Sequence, residues 1–168
     1  MIFRLPDAGD ETILREYVLE HQSAGEAGVS ASLGLASSVY PEWLEKIRNN
    51  ASRGTDDWGR SLLYLCFDSS RLVGLLSIRY ELPKELSGKI GDIGYGVRPS
   101  ERRKGYATAM LRYALSVCKE KGMEKVILGC YKDNAASAST ILKNGGILTE
   151  EGNHYSEDRI SQYYTVTL

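Results

Sequence analysis

Positive charge gathers in one short segment, RPSERRKGYATAML, which runs from Arg98 to Leu111. Four bases fall within the seven positions from Arg98 to Lys104, although the chain carries a net charge of -1. Gly105 follows these bases, and the residues after Gly105 have the apolar spacing that is typical of a helix. The first N–H groups of a helix lack internal partners, and the helix dipole adds positive charge there. Because glycine lets a ligand approach the backbone closely, the segment predicts a phosphate site.

Two common phosphate motifs do not describe this segment. The pattern GxxxxGK[ST] is absent, and GxGxxG fails because Gly94-Tyr95-Gly96 lies within a predicted strand. Pro99 stands where the third glycine of that motif would be. The remaining pattern is R-x-x-G-x-A over Arg102–Ala107, after a strand that ends in Val97-Arg98-Pro99.

A second motif follows further along the chain, in NAASASTILKNGG, where Asn134, Ser137, Lys143 and Gly145 have the spacing N-x-x-S…K-x-G. The two motifs flank a predicted buried strand. Together they resemble the acyl-CoA-binding region of the GNAT N-acetyltransferase superfamily, over Asp92 to Gly146. The resemblance implies transfer of the acetyl group of acetyl-CoA to an amine, without a metal.

The resemblance also implies how the cofactor is held. The loop backbone and its bases would bind the pyrophosphate, the preceding strand would pair with the pantetheine arm, and the later helix would complete the site. The implied cofactor-binding residues are Tyr95, Gly96, Val97, Arg102, Arg103, Lys104, Gly105, Tyr106, Ala107, Thr108, Asn134 and Ser137. Asp92, Gly94 and Gly96 share one strand face. The two glycines indicate either room for a ligand or close packing of a helix.

An acceptor amine must lose a proton before it can attack a thioester. A lysine-like amine has a pKa near 10.4, so freeing it at pH 7 costs roughly 4–5 kcal/mol. A carboxylate that acts directly or through water can take this proton. Asp92, five residues before Val97, is the first candidate base, and Glu81 at the end of the previous strand is the second. The alternative for Asp92 is a strand-edge or turn residue.

The general acid of the superfamily is often a tyrosine seven residues after the asparagine, and this chain has Ile141 there. A thiol with a pKa near 8.5 leaves as thiolate at a cost of only about 2 kcal/mol, so the donor can be dispensable. Tyr131 is a substitute donor, and loss of activity is the other alternative. A covalent route through Cys130 is disfavoured, because no histidine is near it in sequence.

The acceptor would lie opposite the cofactor, among the first helices and the last hairpin. Tyr40, Trp43 and Tyr80 are the predicted substrate-binding residues, with Glu81, His154 and Tyr163-Tyr164 as further candidates. Aromatic residues at such spacings are also typical of core. The acceptor class stays open among small amines, antibiotics, amino acids and protein N-termini. The competing function is a non-catalytic acyl-CoA-binding or regulatory module.

Composition narrows the class of protein. The 168 residues suit one domain, and 42% hydrophobic and 26% charged residues are typical of a globular chain. The net charge argues against nucleic-acid binding. The N-terminal residues hold no long apolar run, which predicts a cytoplasmic protein without membrane contact. Three cysteines without CxxC and two distant histidines predict neither disulfides nor a metal site. A homodimer stays an open alternative.

Apolar periodicity and turn residues predict the elements that position these groups. Helices are expected over Thr12–His21, from Pro41, over Tyr106–Cys118 and from Asn134 to Lys143. Strands are expected at Ile2–Leu5, Ser61–Phe67, Leu72–Tyr80, Asp92–Arg98 and Lys125–Cys130, with a last hairpin over Ile147–Leu168. Residues 25–38 predict a mobile loop. The fold class is α/β (α+β): one domain over residues 1–168, with a mixed, mostly antiparallel sheet of about seven strands flanked by about four helices.

Overall fold

Over residues 1–55, 58–86, 90–156 and 158–168, which the computed structural model describes, seven strands and four α-helices follow the predicted order. Side chains of residues 154–156 are outside this description. The strands are β1 Ile2–Arg4, β2 Arg60–Asp68, β3 Arg71–Glu81, β4 Ile93–Val97, β5 Lys125–Tyr131, β6 Ile147–Ser156 and β7 Arg159–Thr167. The helices are α1 Glu11–Ser23, α2 Tyr40–Ser52, α3 Tyr106–Glu120 and α4 Ala135–Lys143. The predicted fold class is confirmed.

The strands form two antiparallel sheets, with the orders β1-β2-β3-β4 and β5-β7-β6. β4 and β5 come into contact at Asp92, the residue before β4. The N–H of Asp92 donates to the carbonyl of Ile127 in β5 over 2.7 Å. Beyond that point the two strands form no ladder within the described residues. The predicted sheet is therefore divided by a fork between β4 and β5.

Helices cover both sides of the sheets. α1 and α2 pack on one side, in an apolar cluster that includes Leu14, Tyr17, Trp43, Leu44, Ile47, Leu63, Leu65 and Leu75. α3 packs on the other side, where its cluster includes Ile78, Ile93, Met110, Leu111, Ala114, Val126, Leu128 and Tyr164. Because this second cluster draws residues from β3, β4, β5 and β7, α3 holds the two sheets together across the fork.

The strand β5 differs from its prediction in one respect. Its apolar run favoured burial on both faces, but only Val126, Leu128 and Cys130 are fully buried, while Ile127 and Gly129 are half-buried. The half-buried positions alternate with the buried ones, as in a strand with one covered face. One face of β5 packs on α3, and the other borders the fork. None of the described helices combines the length and apolar character needed to cross a membrane.

Candidate functional site

The basic loop ends at the start of α3, as predicted. Gly105 is the residue before the helix and has a φ of 84°, in the left-handed region that favours glycine. Apart from Gly105 and its two chain neighbours, no atom of the described residues lies within 4 Å of the point where a Cβ on Gly105 would be. The N–H groups of the first turn of this 15-residue helix therefore open toward an uncrowded surface. This geometry suits a phosphate group.

Two bases of the loop are already held by carboxylates. Arg102 lies 2.6 Å from Glu26, in the segment between α1 and α2, and Lys104 lies 2.8 Å from Glu101. Hydrogen bonds from Lys104 and Arg71 hold the pKa of Glu101 below its usual range. Arg103 is exposed. These ion pairs connect the loop to the segment between α1 and α2 and to its own preceding turn.

The two glycines of β4 differ in what lies beside them. A Cβ on Gly96 would be 2.9 Å from the carbonyl oxygen of Ser30, and Tyr17 Oη donates to the Gly96 carbonyl over 3.1 Å. A Cβ on Gly94 would be 2.9 Å from Ser77 Oγ. Gly96 therefore allows α1 and the following segment to pack closely, whereas Gly94 borders a cavity.

This cavity of about 650 Å³ lies at the fork, between β3, β4, β5, the start of α4 and residues 29–34. Of the predicted cofactor-binding residues, Tyr95, Asn134 and Ser137 line it. The other lining residues are Val29, Ser30, Ala31, Ser32, Leu33, Gly34, Ser77, Arg79, Gly91, Ile93, Gly94, Gly129, Cys130 and Tyr131. Among the described lining residues, Arg79 alone carries a charge.

The start of α4 is tied to β4 across the fork. Asn134 Oδ1 accepts the N–H of Ser137 over 3.1 Å and so caps the helix, as predicted. The hydroxyl of Tyr95 shares a hydrogen bond of 2.9 Å with Ser137 Oγ. Burial raises the pKa of Tyr95 to about 12, which keeps this phenol protonated at neutral pH. With Tyr131, the cavity holds two phenols that sequence analysis did not place on its wall together.

Asp92 lies at the junction of the two sheets. Its carboxylate Oδ2 accepts the N–H of Ile127 over 2.7 Å, so the side chain reinforces the backbone contact between β4 and β5. Burial raises the pKa of Asp92, against the opposing effects of the Ile127 hydrogen bond and the charge of Arg79. A raised pKa strengthens a carboxylate as a base. Asp92 itself is not among the described residues that line the cavity, although its neighbours Gly91 and Ile93 are.

Glu81, the second candidate base, lies apart from this cavity. Its side chain is 56% exposed and is 3.5 Å from Arg60 Nε. Tyr80 is half-buried, its hydroxyl donates to the carbonyl of Ala51 over 3.2 Å, and Lys121 lies over its ring. Neither residue is among the described residues that line the cavity.

The aromatic residues predicted to bind the acceptor belong to the core. Tyr40 and Trp43 are 2% and 1% exposed, and neither is among the described lining residues. Trp43 Nε1 donates to the carbonyl of Ser32 over 2.9 Å, so Trp43 holds one of the segments that line the cavity. Tyr163 and Tyr164 are buried as well. The side chain of His154 lies outside the described residues.

Sequence analysis missed Ser77, Arg79 and the cavity-lining segment 29–34. The sequence of β3 does indicate Ser77 and Arg79, because these polar residues alternate with the apolar Leu76 and Ile78. Such alternation indicates a strand with one face turned away from the core. Residues 29–34 carry no periodic pattern, and only the tertiary structure brings them to the fork.

Ile141 is packed in the core and is 1% exposed. A Cβ on Gly146 would clash with Ile141 Cγ2, which shows how little space surrounds this side chain. Ile141→Tyr is therefore expected to destabilise the fold by about 1–3 kcal/mol without raising turnover. Urea unfolding and steady-state turnover with one amine measure the two effects. Leu142→Tyr, at a 56% exposed neighbouring position, is the control. A tenfold gain in turnover for Ile141→Tyr would contradict this expectation.

Comparison with known proteins agrees with this geometry. The sequence profile of the acetyltransferase (GNAT) family matches residues 34–145. The chain therefore belongs to this family, and it is an acetyl-CoA-dependent acetyltransferase. No curated protein sequence matches the chain.

Several solved structures share the fold. Mycobacterium smegmatis RimJ in complex with CoA-disulfide has a TM-score of 0.76 at 19% identity, covering 98% of this chain and 80% of that one. A Salmonella typhimurium acetyl transferase that modifies the N-terminal serine of ribosomal protein L7/L12 has a TM-score of 0.72 at 18% identity, covering 99% and 94%. The putative acetyltransferase yncA of Salmonella typhimurium, with its cofactor acetyl-CoA, has a TM-score of 0.69 at 16% identity, covering 99% and 93%.

Proposed function

We propose that the chain transfers the acetyl group of acetyl-CoA directly to an amine that is bound in the cavity at the same time. The observation that carries this proposal is the position of the cavity at the fork. Tyr95 and Cys130 on its wall belong to the side covered by α3, whereas Val29, Ala31 and Leu33 belong to the side covered by α1 and α2. Two reactants can therefore meet from opposite sides of the sheets.

The cofactor would enter from the side of α3. The Gly105 loop would hold the pyrophosphate on its backbone N–H groups, with Arg102, Arg103 and Lys104 adding positive charge. Val97, Gly96 and Tyr95 would lead the pantetheine arm along the edge of β4 toward the cavity. Tyr106, Ala107 and Thr108 supply the first helical N–H groups, and Asn134 with Ser137 borders the arm on the opposite side.

In the proposed reaction the amine nitrogen attacks the thioester carbon, a C–N bond forms, and the C–S bond breaks. The proton of the amine passes to Asp92 through water, because Asp92 is already bonded to Ile127 and lies behind the cavity wall. Backbone N–H groups of β4 are suited to stabilise the tetrahedral oxyanion. The sulfur leaves as thiolate and takes a proton from solvent.

A covalent route through Cys130 is less suited to this cavity. Cys130 lines it, but burial raises the pKa of the thiol, so the reactive thiolate is scarce at neutral pH. Glu81 is poorly placed as a base, because it is exposed and lies apart from the cavity. The cavity therefore suits direct attack of the amine on the thioester better than a double displacement through Cys130.

The structural relatives support an amine as the acceptor. One of them is named for modifying the N-terminal serine of a ribosomal protein, which is an α-amine. A cytoplasmic location would agree with acetyl-CoA as donor. We therefore propose an amine acceptor and a cytoplasmic location for this chain.

Release of free thiol from acetyl-CoA tests the proposed function. Purified protein is mixed with acetyl-CoA and a panel of amines, and a thiol reagent follows the reaction. We expect thiol release that depends on the amine, because transfer needs both reactants in the cavity. Acetyl-CoA binding without thiol release would instead indicate a non-catalytic acyl-CoA-binding or regulatory module. The absence of both would contradict the cofactor site itself.

A further inference from the structure

The two walls of the fork are joined by side chains beyond the junction at Asp92. Tyr95 on β4 reaches across to Ser137 in the first turn of α4, where their hydroxyls share a hydrogen bond of 2.9 Å. The phenol oxygen also lies 3.4 Å from the carbonyl oxygen of Ser137. Because Tyr95 is three residues from Asp92, this contact lies roughly 10 Å along the strand from the junction.

Cys130 extends this contact to β5. A hydrogen bond with Ser137 opposes the rise that burial causes in the pKa of the Cys130 thiol. Tyr95, Ser137 and Cys130 all line the cavity, and we call these three residues the fork bridge. Tyr95 and Cys130 also belong to the apolar cluster under α3. The fork bridge is therefore a continuous part of the cavity wall on the side of α3.

The apolar core continues behind the fork bridge. Ile141 follows Ser137 by four residues and so lies on the same face of α4. It is 1% exposed and is not among the described residues that line the cavity. Because protein cores are closely packed, the fork bridge closes the cavity on this side against any added group.

The proposed path of the donor ends at the fork bridge. From the Gly105 loop the pantetheine arm would follow β4 past Val97 and Tyr95, which brings its sulfur and acyl group to the cavity. Residues 29–34 form the opposite side of the cavity, from which the acceptor would come. When an acceptor occupies that side, the acyl chain has to turn toward the fork bridge.

We propose that the fork bridge is the closed end of the acyl site and that Tyr95 restricts the donor to short acyl groups. This inference rests on the proposed function, since it depends on the path of the arm along β4. Propionyl and butyryl groups are longer than an acetyl group by one and two carbon atoms. One methylene more or less in an apolar pocket changes kcat/KM by roughly 10–200-fold, so a wall fixed by hydrogen bonds can discriminate between these donors.

The test compares acetyl-CoA, propionyl-CoA and butyryl-CoA as donors to one amine that reacts in the thiol-release assay. In the wild-type protein we expect kcat/KM to fall by about tenfold or more from acetyl-CoA to butyryl-CoA. Tyr95→Leu shortens the wall and keeps it apolar, so it should raise the ratio of butyryl to acetyl transfer by about tenfold or more. Tyr95→Phe and Ser137→Ala remove only the hydrogen bond and should raise this ratio by about threefold. The double variant should exceed neither single variant, because both remove the same contact.

Tyr64 on β2 provides the matched control. Like Tyr95, it packs against the apolar cluster under α3, and burial raises the pKa of both phenols to about 12. Tyr64 is not among the described residues that line the cavity. Tyr64→Phe and Tyr64→Leu should therefore keep the wild-type donor preference, even where they lower the melting temperature as much as the Tyr95 variants do.

Alkylation of Cys130 gives a second readout that needs no acceptor. Mass spectrometry distinguishes Cys130, which is 7% exposed, from Cys66 and Cys118, which are 0% exposed. Saturating acetyl-CoA, judged by thermal stabilisation, should slow alkylation of Cys130 by about fivefold or more, because the acyl group would cover the fork bridge.

Three results would overturn the inference: equal kcat/KM for butyryl-CoA and acetyl-CoA in the wild type, the same donor preference in Tyr95→Leu as in the wild type or Tyr64→Leu, and alkylation of Cys130 that acetyl-CoA does not slow. If Tyr95→Leu does not fold, an unchanged preference in Tyr95→Phe and Ser137→Ala counts against the inference instead. Thiol release from acetyl-CoA that depends on the amine would still support the proposed function in each case. Its absence with every amine would overturn both.

Discussion

Asp92→Asn is expected to lower turnover by about 10²–10⁴-fold at neutral pH, the range that positioned general bases contribute. The amide Oδ1 of Asn can still accept the N–H of Ile127, so the junction between β4 and β5 is kept while the basic group is lost. Cofactor affinity should change little, because the carboxylate takes no part in phosphate binding. Steady-state kinetics and acetyl-CoA titration measure the two quantities.

The pH dependence of Asp92→Asn separates loss of a base from loss of structure. As pH rises toward the pKa of the amine, a larger fraction of the acceptor is already deprotonated in solution. The variant should therefore recover part of its rate. In the wild type, activity should fall as pH drops through the raised pKa of Asp92, because the carboxylate is then protonated. A variant with wild-type turnover across this pH range would remove Asp92 from the reaction.

Asp92→Asn is expected to lower activity without lowering the stability of the fold. The folded-state pKa of Asp92 is raised above its unfolded value, so its contribution to stability is present below the unfolded pKa and is lost as pH rises through the folded one. Ionised Asp92 thus lowers stability at neutral pH, and Asp92→Asn should unfold at the same temperature as wild type or above it. Asp92→Ala leaves the N–H of Ile127 without its acceptor and should be less stable by about 1–3 kcal/mol.

Gly105→Glu is expected to remove most of the stabilisation that acetyl-CoA gives to the fold. Ligand at 100 times its dissociation constant adds about 2.7 kcal/mol to the stability of a protein with one site. For a domain of this size that corresponds to roughly 5–10 °C in melting temperature. The glutamate would block the approach of the pyrophosphate to the backbone and repel its charge. Thermal unfolding with and without acetyl-CoA gives the difference directly.

The control for this experiment is Gly122→Glu. Gly122 follows the other end of α3 with a φ of 79°. Apart from Gly122 and its chain neighbours, no atom in the described part of the chain lies within 4 Å of the point where its Cβ would be. Backbone strain should therefore be similar in both variants, at about 1–2 kcal/mol. Only Gly122→Glu should keep the full stabilisation by acetyl-CoA. Equal stabilisation of both variants would contradict the placement of the pyrophosphate at Gly105.

The geometry of the basic loop was predictable because the loop is local in sequence. A run of bases, a glycine at a positive φ and the first turn of α3 are neighbours along the chain, so their spacing alone carries the geometry. The cap of α4 by Asn134 was predictable for the same reason. Local patterns of this kind depend on backbone conformation and need no knowledge of distant contacts.

The cavity at the fork was not predictable, because long-range packing creates it. The hydrogen-bond partner of Asp92 is 35 residues away, on a strand whose position depends on the whole fold. Tyr40 and Trp43 have types that suit either core or ligand binding, and only the packing of α2 places them in the core.

The order of strands in the second sheet affects how the protein is assembled during synthesis. β7 lies between β5 and β6, pairing with β5 from Lys125↔Thr167 to Tyr131↔Ser161, although it is made after both. A growing chain that has reached α4 therefore has β5 without its neighbour in the sheet. Gly129, Cys130 and Tyr131, one wall of the cavity, gain their support only when β7 arrives. The ribosome must therefore release the residues of β7 before this wall of the cavity has its full support.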